Sequence, residues 1–280
     1  MSSVPAALTI AGSDSGGGAG IQADLKAFEA NGVFGMSAVT ALTAQNTHEV
    51  AAVHAVPPAF VTAQIDAVAS DLPVGAVKTG MLMSPEIVEA VAEAIARWEL
   101  APVVVDPVMV SKSGDALLES DAVATVVHRL LPLADLVTPN AHEAARIAGV
   151  EVRTLDDARC AADRILKMGP RAVLIKGGHL DGEADAVDLL ATAAGETLFR
   201  EERIDTPNTH GTGCTYASAI AAQLARGYAL EEAVGRARRY LQGTIRHALD
   251  LGSGHGPTSH FWFLDGSEAV TAGASTTAVS

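Results

Sequence analysis

Short apolar runs alternate with amphipathic helical patterns along most of the chain. After Ser84-Pro85, which has the residues of a helix N-cap and first turn, apolar side chains recur every three or four positions as far as Trp98. The run Val103-Val104-Val105 is typical of a strand buried on both faces of a sheet. This alternation predicts an α/β fold: a doubly wound, mostly parallel sheet with helices on both faces.

The same patterns place the individual elements. The predicted strands are 8–11, 37–43, 75–78, 102–106, 136–138 and 172–176. The predicted helices are 21–30, 58–69, 84–98, 122–131, 140–148, 154–168, 211–226 and 230–249. Two strand-like runs around Gly195, within 184–204, predict an antiparallel hairpin at a sheet edge. We expect one domain over residues 1–265 and a disordered polar tail over 266–280.

Composition narrows the function classes. The formal net charge is −14 and basic residues form no cluster, which argues against nucleic acid and anionic membranes as partners. The apolar runs are far shorter than the ~20 residues that span a bilayer, and the N-terminus lacks the pattern of a signal peptide. Cys160 and Cys214 form no C-x-x-C pair, and two thiols suit a reducing compartment. We therefore expect a cytoplasmic protein.

Residues with special chemistry follow the predicted strands. Ligands of doubly wound sheets bind at the carboxyl ends of the strands, which meet at one edge. The residues at those ends are Gly12, Thr43-Ala44-Gln45-Asn46, Thr79-Gly80-Met81, Asp106-Pro107, Thr138-Pro139-Asn140 and Lys176-Gly177-Gly178. The carboxyl edge of the sheet is thus the expected site.

The run N-T-H-G-T-G-C-T, from Asn208 to Thr215, comes directly before a helical segment of small residues. Two glycines at a helix start leave amide groups free to bind an anion, although they can equally form only a tight turn. The helix N-terminus is expected to lower the pKa of Cys214, whereas the alternative is an inert buried thiol.

Three further motifs have competing interpretations. The glycines of 12–20 fit neither a dinucleotide fingerprint nor a Walker A loop, and close approach to a ligand explains them better than a flexible connection. Asn140 and Glu143 have the spacing of a capping box, which the spacing favours over a metal-positioning site. Lys176 either contacts phosphate or reaches solvent, and Asp106 is either a turn carboxylate or a metal-holding one.

Seven motifs in register resemble the ribokinase-like superfamily and, within it, the hydroxymethylpyrimidine/phosphomethylpyrimidine kinase family of thiamine biosynthesis. They cover nearly the whole chain apart from about the last 15 residues. The motifs are A-G-S-D-S-G-G-G-A-G-I-Q-A-D-L-K (11–26), T-A-L-T-A-Q-N-T (40–47), K-T-G-M-L (78–82), V-D-P-V-M-V-S-K-S-G (105–114), T-P-N-x-x-E (138–143), K-G-G-H (176–179) and N-T-H-G-T-G-C-T (208–215).

The resemblance implies ATP-dependent phosphorylation of 4-amino-5-hydroxymethyl-2-methylpyrimidine and then of its monophosphate, giving the diphosphate. It implies a pyrimidine pocket of Gln45, Gly12, Asp24, Met81 and Val108. Lys176, Gly211 and Gly213 would contact the nucleotide phosphates or the transferred phosphoryl group, with Thr138 and Asn140 on the nucleotide side. Glu143 and Asp106 would hold Mg²⁺ through water, with Asn140 helping to position it. We infer that Cys214 accepts the substrate hydroxyl proton.

Two alternatives stay open. A pyridoxal/pyridoxine kinase of the same superfamily would share the fold and the cysteine, although the T-A-L-T-A-Q-N segment favours the pyrimidine. A non-catalytic pyrimidine sensor would keep the pocket but would not need Lys176, Glu143 and Cys214. By analogy with the superfamily, we also expect a homodimer.

Overall fold

The computed structural model describes residues 4–109, 120–178 and 180–264. The strands are β1 (Ala6–Ala11), β2 (Phe34–Val39), β3 (Ala41–Gln45), β4 (Val50–Ala55), β5 (Val77–Thr79), β6 (Val103–Val105), β7 (Leu136–Val137), β8 (Ala172–Ile175), β9 (Ala186–Thr192) and β10 (Gly195–Glu201). The helices are α1 (Gly20–Ala30), α2 (Pro58–Ala69), α3 (Pro85–Arg97), α4 (Ser120–Thr125), α5 (Ala141–Ala148), α6 (Leu155–Leu166), α7 (Thr212–Ala225) and α8 (Leu230–Arg246). His179 and the predicted tail 266–280 lie outside the described residues, as do positions 110–114 of the fourth motif.

Within the described residues, eight strands form one open sheet in the order β10-β9-β8-β7-β6-β5-β1-β2. The strands from β8 to β2 in that order pair in parallel. Strands β9 and β10 run antiparallel at the edge and meet in a hairpin before Gly195. The predicted doubly wound sheet and its edge hairpin are confirmed.

Both faces of the sheet are covered by helices, because successive side chains of a buried strand point to opposite sides. Leu8 and Ile10 of β1 pack in the core cluster that includes helices α2, α3, α5 and α6. Ala7, the residue before Leu8, belongs to the opposite cluster, with Phe28 of α1 and Tyr216 of α7. Helix α7 is therefore pressed against the middle of the sheet, and its N-terminus lies at the carboxyl edge.

The prediction of one strand over 37–43 is wrong. Strand β2 ends at Val39, and β3 starts at Ala41 and leaves the main sheet to pair antiparallel with β4, which the sequence analysis did not predict. Thr40 lies at the break, where its hydroxyl donates to the Met81 carbonyl at 2.6 Å. The resulting two-stranded sheet carries Gln45 out over the carboxyl edge.

The predicted helix over 122–131 is not a continuous α-helix. Helix α4 passes into a π-helical turn, Val126–Leu130, and then into a 3-10 turn, Leu131–Leu133. Pro132 has no amide hydrogen to donate to the preceding turn, so the regular hydrogen bonds of an α-helix cannot continue through it.

No helix in the described ranges combines the length and apolar character that crossing a membrane requires.

Candidate active site

A single continuous cavity of about 1040 Å³ lies along the carboxyl edge of the sheet. That volume accommodates two small molecules side by side. Most of the predicted site residues line it: Gly12, Gln45, Met81, Asp106, Val108, Asn140, Glu143, Lys176, Gly211, Gly213 and Cys214. The fold thus brings together residues that are up to 202 positions apart, from Gly12 to Cys214.

The N-terminus of α7 forms one wall of the cavity. Gly211 has φ of 80°, and a Cβ atom there would lie 1.8 Å from the Gly18 carbonyl oxygen, so only glycine fits. The helix has no side-chain cap, and the amides of Gly213 and Cys214 come too early in it to have intrahelical acceptors. This geometry fits the predicted anion site.

Lys176 and Asp106 lie beside that helix start. Their side chains form an ion pair of 2.8 Å between Nζ and Oδ1, and Thr138 donates to the same carboxylate oxygen at 3.2 Å. A Cβ atom at Gly213 would lie 3.4 Å from Lys176 Nζ and 3.8 Å from Asp106 Oδ2. The absence of a side chain at Gly213 therefore leaves the ion pair open to a ligand held by the helix N-terminus.

The capping box predicted at Asn140 is present. Asn140 Oδ1 accepts from the Glu143 amide at 2.9 Å, and Glu143 Oε2 accepts from the Asn140 amide at 2.8 Å. Burial raises the pKa of Glu143 to about 7; Lys176 opposes the shift, and Asp106 adds to it. The structural role and the cavity-lining role coexist, because Glu143 caps α5 and still faces the cavity.

The carboxylates of Asp106 and Glu143 suit a magnesium ion. Mg²⁺ binds hard oxygen ligands and commonly uses one or two carboxylates, with waters and substrate phosphates in the remaining positions. Both carboxylates line the cavity near Lys176, and a cation there would stabilise the charged form of Glu143. In the described part of the chain, no three His, Cys, Asp or Glu side chains are grouped to hold a metal by themselves.

Cys214 differs from the expectation. Burial raises the pKa of its thiol to about 11, although the Lys78 ammonium and a hydrogen bond from the Gly20 amide act in the opposite direction. The predicted lowering by the helix N-terminus is therefore wrong for the free site: desolvation of a thiolate outweighs the favourable charges around it. Cys214 is a neutral thiol at pH 7 before ligands bind.

A buried ion pair that the sequence analysis missed lies beneath Cys214. Lys78 Nζ is 2.9 Å from both carboxylate oxygens of Asp24, and neither side chain is exposed. Burial alone would lower the pKa of Lys78, but Asp24 raises it above its ordinary value. Ser218, one turn after Cys214 on α7, donates to Asp24 at 2.6 Å, so the pair is held directly under the helix start.

Two predicted contact residues do not reach the cavity. Asp24 is fully buried with Lys78, and Thr138 is fully buried against Asp106. Neither lines the cavity, so the direct ligand contacts expected of them do not fit this structure. Each acts instead on a lining side chain, Asp24 on Lys78 and Thr138 on Asp106.

The glycine-rich loop is tied by a carboxylate that its own sequence supplies. Asp14 accepts hydrogen bonds from the amides of Gly16, Gly18 and Ala19 at 2.8–3.0 Å. His210 adds a fourth contact, 2.8 Å from its Nε2 to Asp14 Oδ2. A Cβ atom at Gly18 would lie 2.4 Å from His210 Cδ2, and one at Gly20 would lie 2.4 Å from the Gly12 carbonyl oxygen of the same loop. Packing within the protein therefore accounts for these two glycines, and ligand approach explains fewer of the loop glycines than expected.

Comparison with known proteins identifies the family. The phosphomethylpyrimidine kinase family model matches residues 14–259. The chain belongs to the phosphomethylpyrimidine kinase family. The hydroxymethylpyrimidine/phosphomethylpyrimidine kinase of Streptomyces coelicolor is 53% identical over 260 residues, covering 93% of this chain and 96% of that protein. The thiamine biosynthesis bifunctional protein ThiED of Geobacter sulfurreducens is 54% identical over 253 residues, or 90% of this chain, which spans 51% of that protein.

Solved structures share the ribokinase-like fold of the family. A phosphomethylpyrimidine kinase from Clostridium difficile is 46% identical, with a TM-score of 0.77, covering 85% of this chain and 98% of that one. An ADP complex of the Bacillus subtilis pyridoxal kinase has a TM-score of 0.86 at 38% identity, covering 92% of this chain and 98% of that one. The fold alone therefore does not distinguish a phosphomethylpyrimidine kinase from a pyridoxal kinase. The side chains that line the cavity have to distinguish them.

Proposed function

We propose that this chain phosphorylates 4-amino-5-hydroxymethyl-2-methylpyrimidine with ATP, and then phosphorylates the monophosphate to the diphosphate, in thiamine biosynthesis. The observation that carries the proposal is a cavity that is lined both by Gln45 and by Lys176, which lies beside the α7 N-terminus. Membership of the phosphomethylpyrimidine kinase family supports the same substrate class.

The geometry supports a transfer mechanism based on positioning and charge. Lys176 and the amides of Gly213 and Cys214 would bind the phosphoryl oxygens and offset the charge on them in the transition state. Asp106 holds Lys176 in place, and the absence of a side chain at Gly213 leaves room for the phosphate. Asp106 and Glu143 would hold Mg²⁺ through water, which supplies further positive charge to the phosphates.

The pyrimidine pocket would be formed by four other residues that line the same cavity: Gln45, Gly12, Met81 and Val108. A glutamine amide can donate and accept at once, which suits an aminopyrimidine edge. Cys214, which lines the cavity in the first turn of α7, would accept the proton of the hydroxymethyl group. Because its pKa is raised, the thiol must first give its own proton to solvent water, since only the thiolate can accept the hydroxyl proton, and Lys78 is the neighbouring cation that stabilises the thiolate.

The function is tested by ADP release with three sole acceptors: the pyrimidine alcohol, its monophosphate and pyridoxal. We expect turnover with both pyrimidines. Cys214→Ala is expected to lose most of it while binding ATP with unchanged affinity, and Gln45→Ala to raise the KM for the pyrimidine far more than that for ATP. Wild-type turnover in Cys214→Ala would exclude this cysteine as the base, and equal effects on both KM values would exclude the Gln45 contact.

A pyridoxal kinase is the second candidate function, because the Bacillus subtilis pyridoxal kinase shares the fold at a TM-score of 0.86. Sequence identity favours the pyrimidine as the substrate. This chain is 46–54% identical to the three thiamine-biosynthesis proteins compared above and 38% identical to the pyridoxal kinase. The three-acceptor assay separates the two functions directly. Turnover with pyridoxal alone would establish the second.

We also propose a cytoplasmic homodimer. Cys160 and Cys214 are free thiols, which suits a reducing compartment. Strand β4 is exposed along most of its length, and Leu42, Val53 and Phe60 in and beside the two-stranded sheet are 41–61% exposed. Sedimentation equilibrium tests the assembly: we expect twice the chain mass for the wild type and a monomer for Leu42→Asp, and a monomeric wild type would contradict the proposal.

A further inference from the structure

Asp188, in strand β9, is a buried carboxylate that none of the proposed transfer steps uses. Its side chain is 5% exposed, and that of Arg238, on helix α8, is 6% exposed. Asp188 Oδ1 accepts a hydrogen bond from the Gly177 amide at 3.0 Å, and Oδ2 lies 3.1 Å from Arg238 Nε. The carboxylate therefore connects α8 to the residue that directly follows Lys176.

The Gly177 amide takes its acceptor from this side chain because the pairing of β8 with β9 ends before it. The last paired residues are Ile175 and Leu189. The backbone of Gly177 still touches β9, since a Cβ atom at position 177 would lie 2.1 Å from the Val187 carbonyl oxygen. The Asp188 side chain thus supplies the hydrogen bond that the paired β9 backbone supplies further back along β8, and it can do so whether or not its carboxyl group is ionised.

The main chain is held on both sides of the Lys176 Cα atom. The Lys176 amide donates to the Pro139 carbonyl at 2.9 Å, and the next amide, that of Gly177, donates to Asp188. A lysine side chain is a flexible four-carbon stem, so the position of its ammonium depends on where the backbone starts it and on what it pairs with. The ion pair with Asp106 fixes the outer end of this stem, and Pro139 and Asp188 fix the inner end.

We propose that Asp188 is a positioning residue for phosphoryl transfer, which holds the peptide after Lys176 and so places the ammonium beside the α7 N-terminus. Arg238 holds the second oxygen of the carboxylate and keeps the first one directed at Gly177. Misplacing a transfer group by about 1 Å can cost about a hundredfold in rate, so a backbone anchor at this point affects kcat and not only folding. The inference rests on the proposed function, because it assumes that Lys176 acts on the transferred phosphoryl group.

The test compares two double variants that differ only in the acceptor for the Gly177 amide. Asp188→Asn/Arg238→Met keeps a side-chain oxygen at position 188, and Asp188→Leu/Arg238→Met has a similar volume but no acceptor. Neither leaves an unpaired ion in the core, so both are expected to fold. With the pyrimidine alcohol as acceptor, we expect kcat to be about tenfold to a hundredfold lower in the leucine variant than in the asparagine variant, with equal KM values. If the leucine variant does not fold, Asp188→Ala in the same background takes its place.

Two controls separate action through Lys176 from a general loss of structure. Leu189→Ala removes a core side chain from the other face of β9, and is expected to lower the melting temperature while leaving kcat unchanged. When Lys176→Met is added to both double variants, the difference in kcat between them is expected to disappear, because the group that Asp188 positions is then absent.

Three results would overturn the inference while leaving the proposed function intact. They are an equal kcat in the two double variants, a difference between them that persists when Lys176→Met is added, and a Leu189→Ala variant that is as slow as the leucine variant. A wild type that releases no ADP with the pyrimidine would instead refute the proposed substrate. The same variants would then be compared with pyridoxal as the acceptor, for which the inference predicts the same differences in kcat.

Discussion

The buried ion pair between Lys78 and Asp24 gives the sharpest stability prediction. Lys78→Met keeps a similar volume but removes the ammonium, and leaves Asp24 with the hydroxyls of Thr9 and Ser218 as its donors, at 2.7 and 2.6 Å. Breaking a fully buried pair from one side costs about 3–5 kcal/mol, because the remaining charge is uncompensated. For a domain of this size, about 2–4 °C of melting temperature per kcal/mol corresponds to a loss on the order of 10 °C.

The assay is thermal and urea unfolding of the wild type, Lys78→Met, the exposed-lysine control Lys167→Met and the double variant Asp24→Asn/Lys78→Met. The control is expected to change the free energy of unfolding by less than about 0.5 kcal/mol. The double variant should recover much of the loss, because an asparagine side chain at position 24 is neutral and its oxygen still accepts from the hydroxyls. A Lys78→Met variant within about 1 kcal/mol of the wild type would refute the argument that this carboxylate depends on its partner.

Three other predictions concern single groups. Alkylation of Cys214 in the ligand-free protein should follow a pKa of about 11, measured with iodoacetamide against Cys214→Ala as the background, and a midpoint below about pH 8 would contradict it. Lys176→Met should lower kcat in the ADP-release assay by about 10²–10³, and an unchanged kcat would remove Lys176 from the transfer step. Burial lowers the pKa of His260 to about 4. Because the unfolded state then binds more protons at His260 below about pH 6.5, this group makes unfolding at about pH 5 easier than at about pH 7.5 by about 2 kcal/mol. The raised pKa of Glu143 acts in the opposite direction, so the effect is measured as the difference between the pH dependences of the wild type and His260→Gln, and identical pH dependences would contradict it.

Much of the fold could be predicted because local signals agreed with the tertiary packing. Ser84 caps α3 through the Ile87 amide, as its position before Pro85 indicated. The apolar run of β6 is fully buried, and the hairpin around Gly195 pairs as expected. In each case the side-chain pattern and the final environment require the same backbone geometry.

The small sheet could not be predicted from the same signals. Strand β4 contains Ala51, Ala52 and Ala55, which have low strand propensity, and its side chains show no alternation because most of them are exposed. The break at Thr40 depends on a hydrogen bond to Met81, 41 residues away. The break at Thr40 thus depends on a distant contact and β4 depends on pairing with β3, and the side-chain pattern of either segment alone indicates neither.

The candidate site also has features that the sequence could predict and features that it could not. Strand ends predicted which residues would line the cavity, because the carboxyl edge of a parallel sheet collects them. Charge environment could not be predicted in this way: the burial that raises the pKa of Cys214 and the ion pair that encloses Asp24 both depend on which side chains lie behind the cavity wall. The position of Cys214 at a helix N-terminus did not indicate its desolvation, which is the largest influence on that pKa.

The most direct test of the central claim is the phosphorus NMR spectrum of a reaction that contains the protein, the pyrimidine alcohol, Mg²⁺ and excess ATP, followed in time with ADP counted in parallel. Our account predicts that the monophosphate appears first and is then converted to the diphosphate, with two ADP released per pyrimidine. A spectrum that shows ATP unchanged, while the same protein converts pyridoxal to its phosphate, would contradict the account.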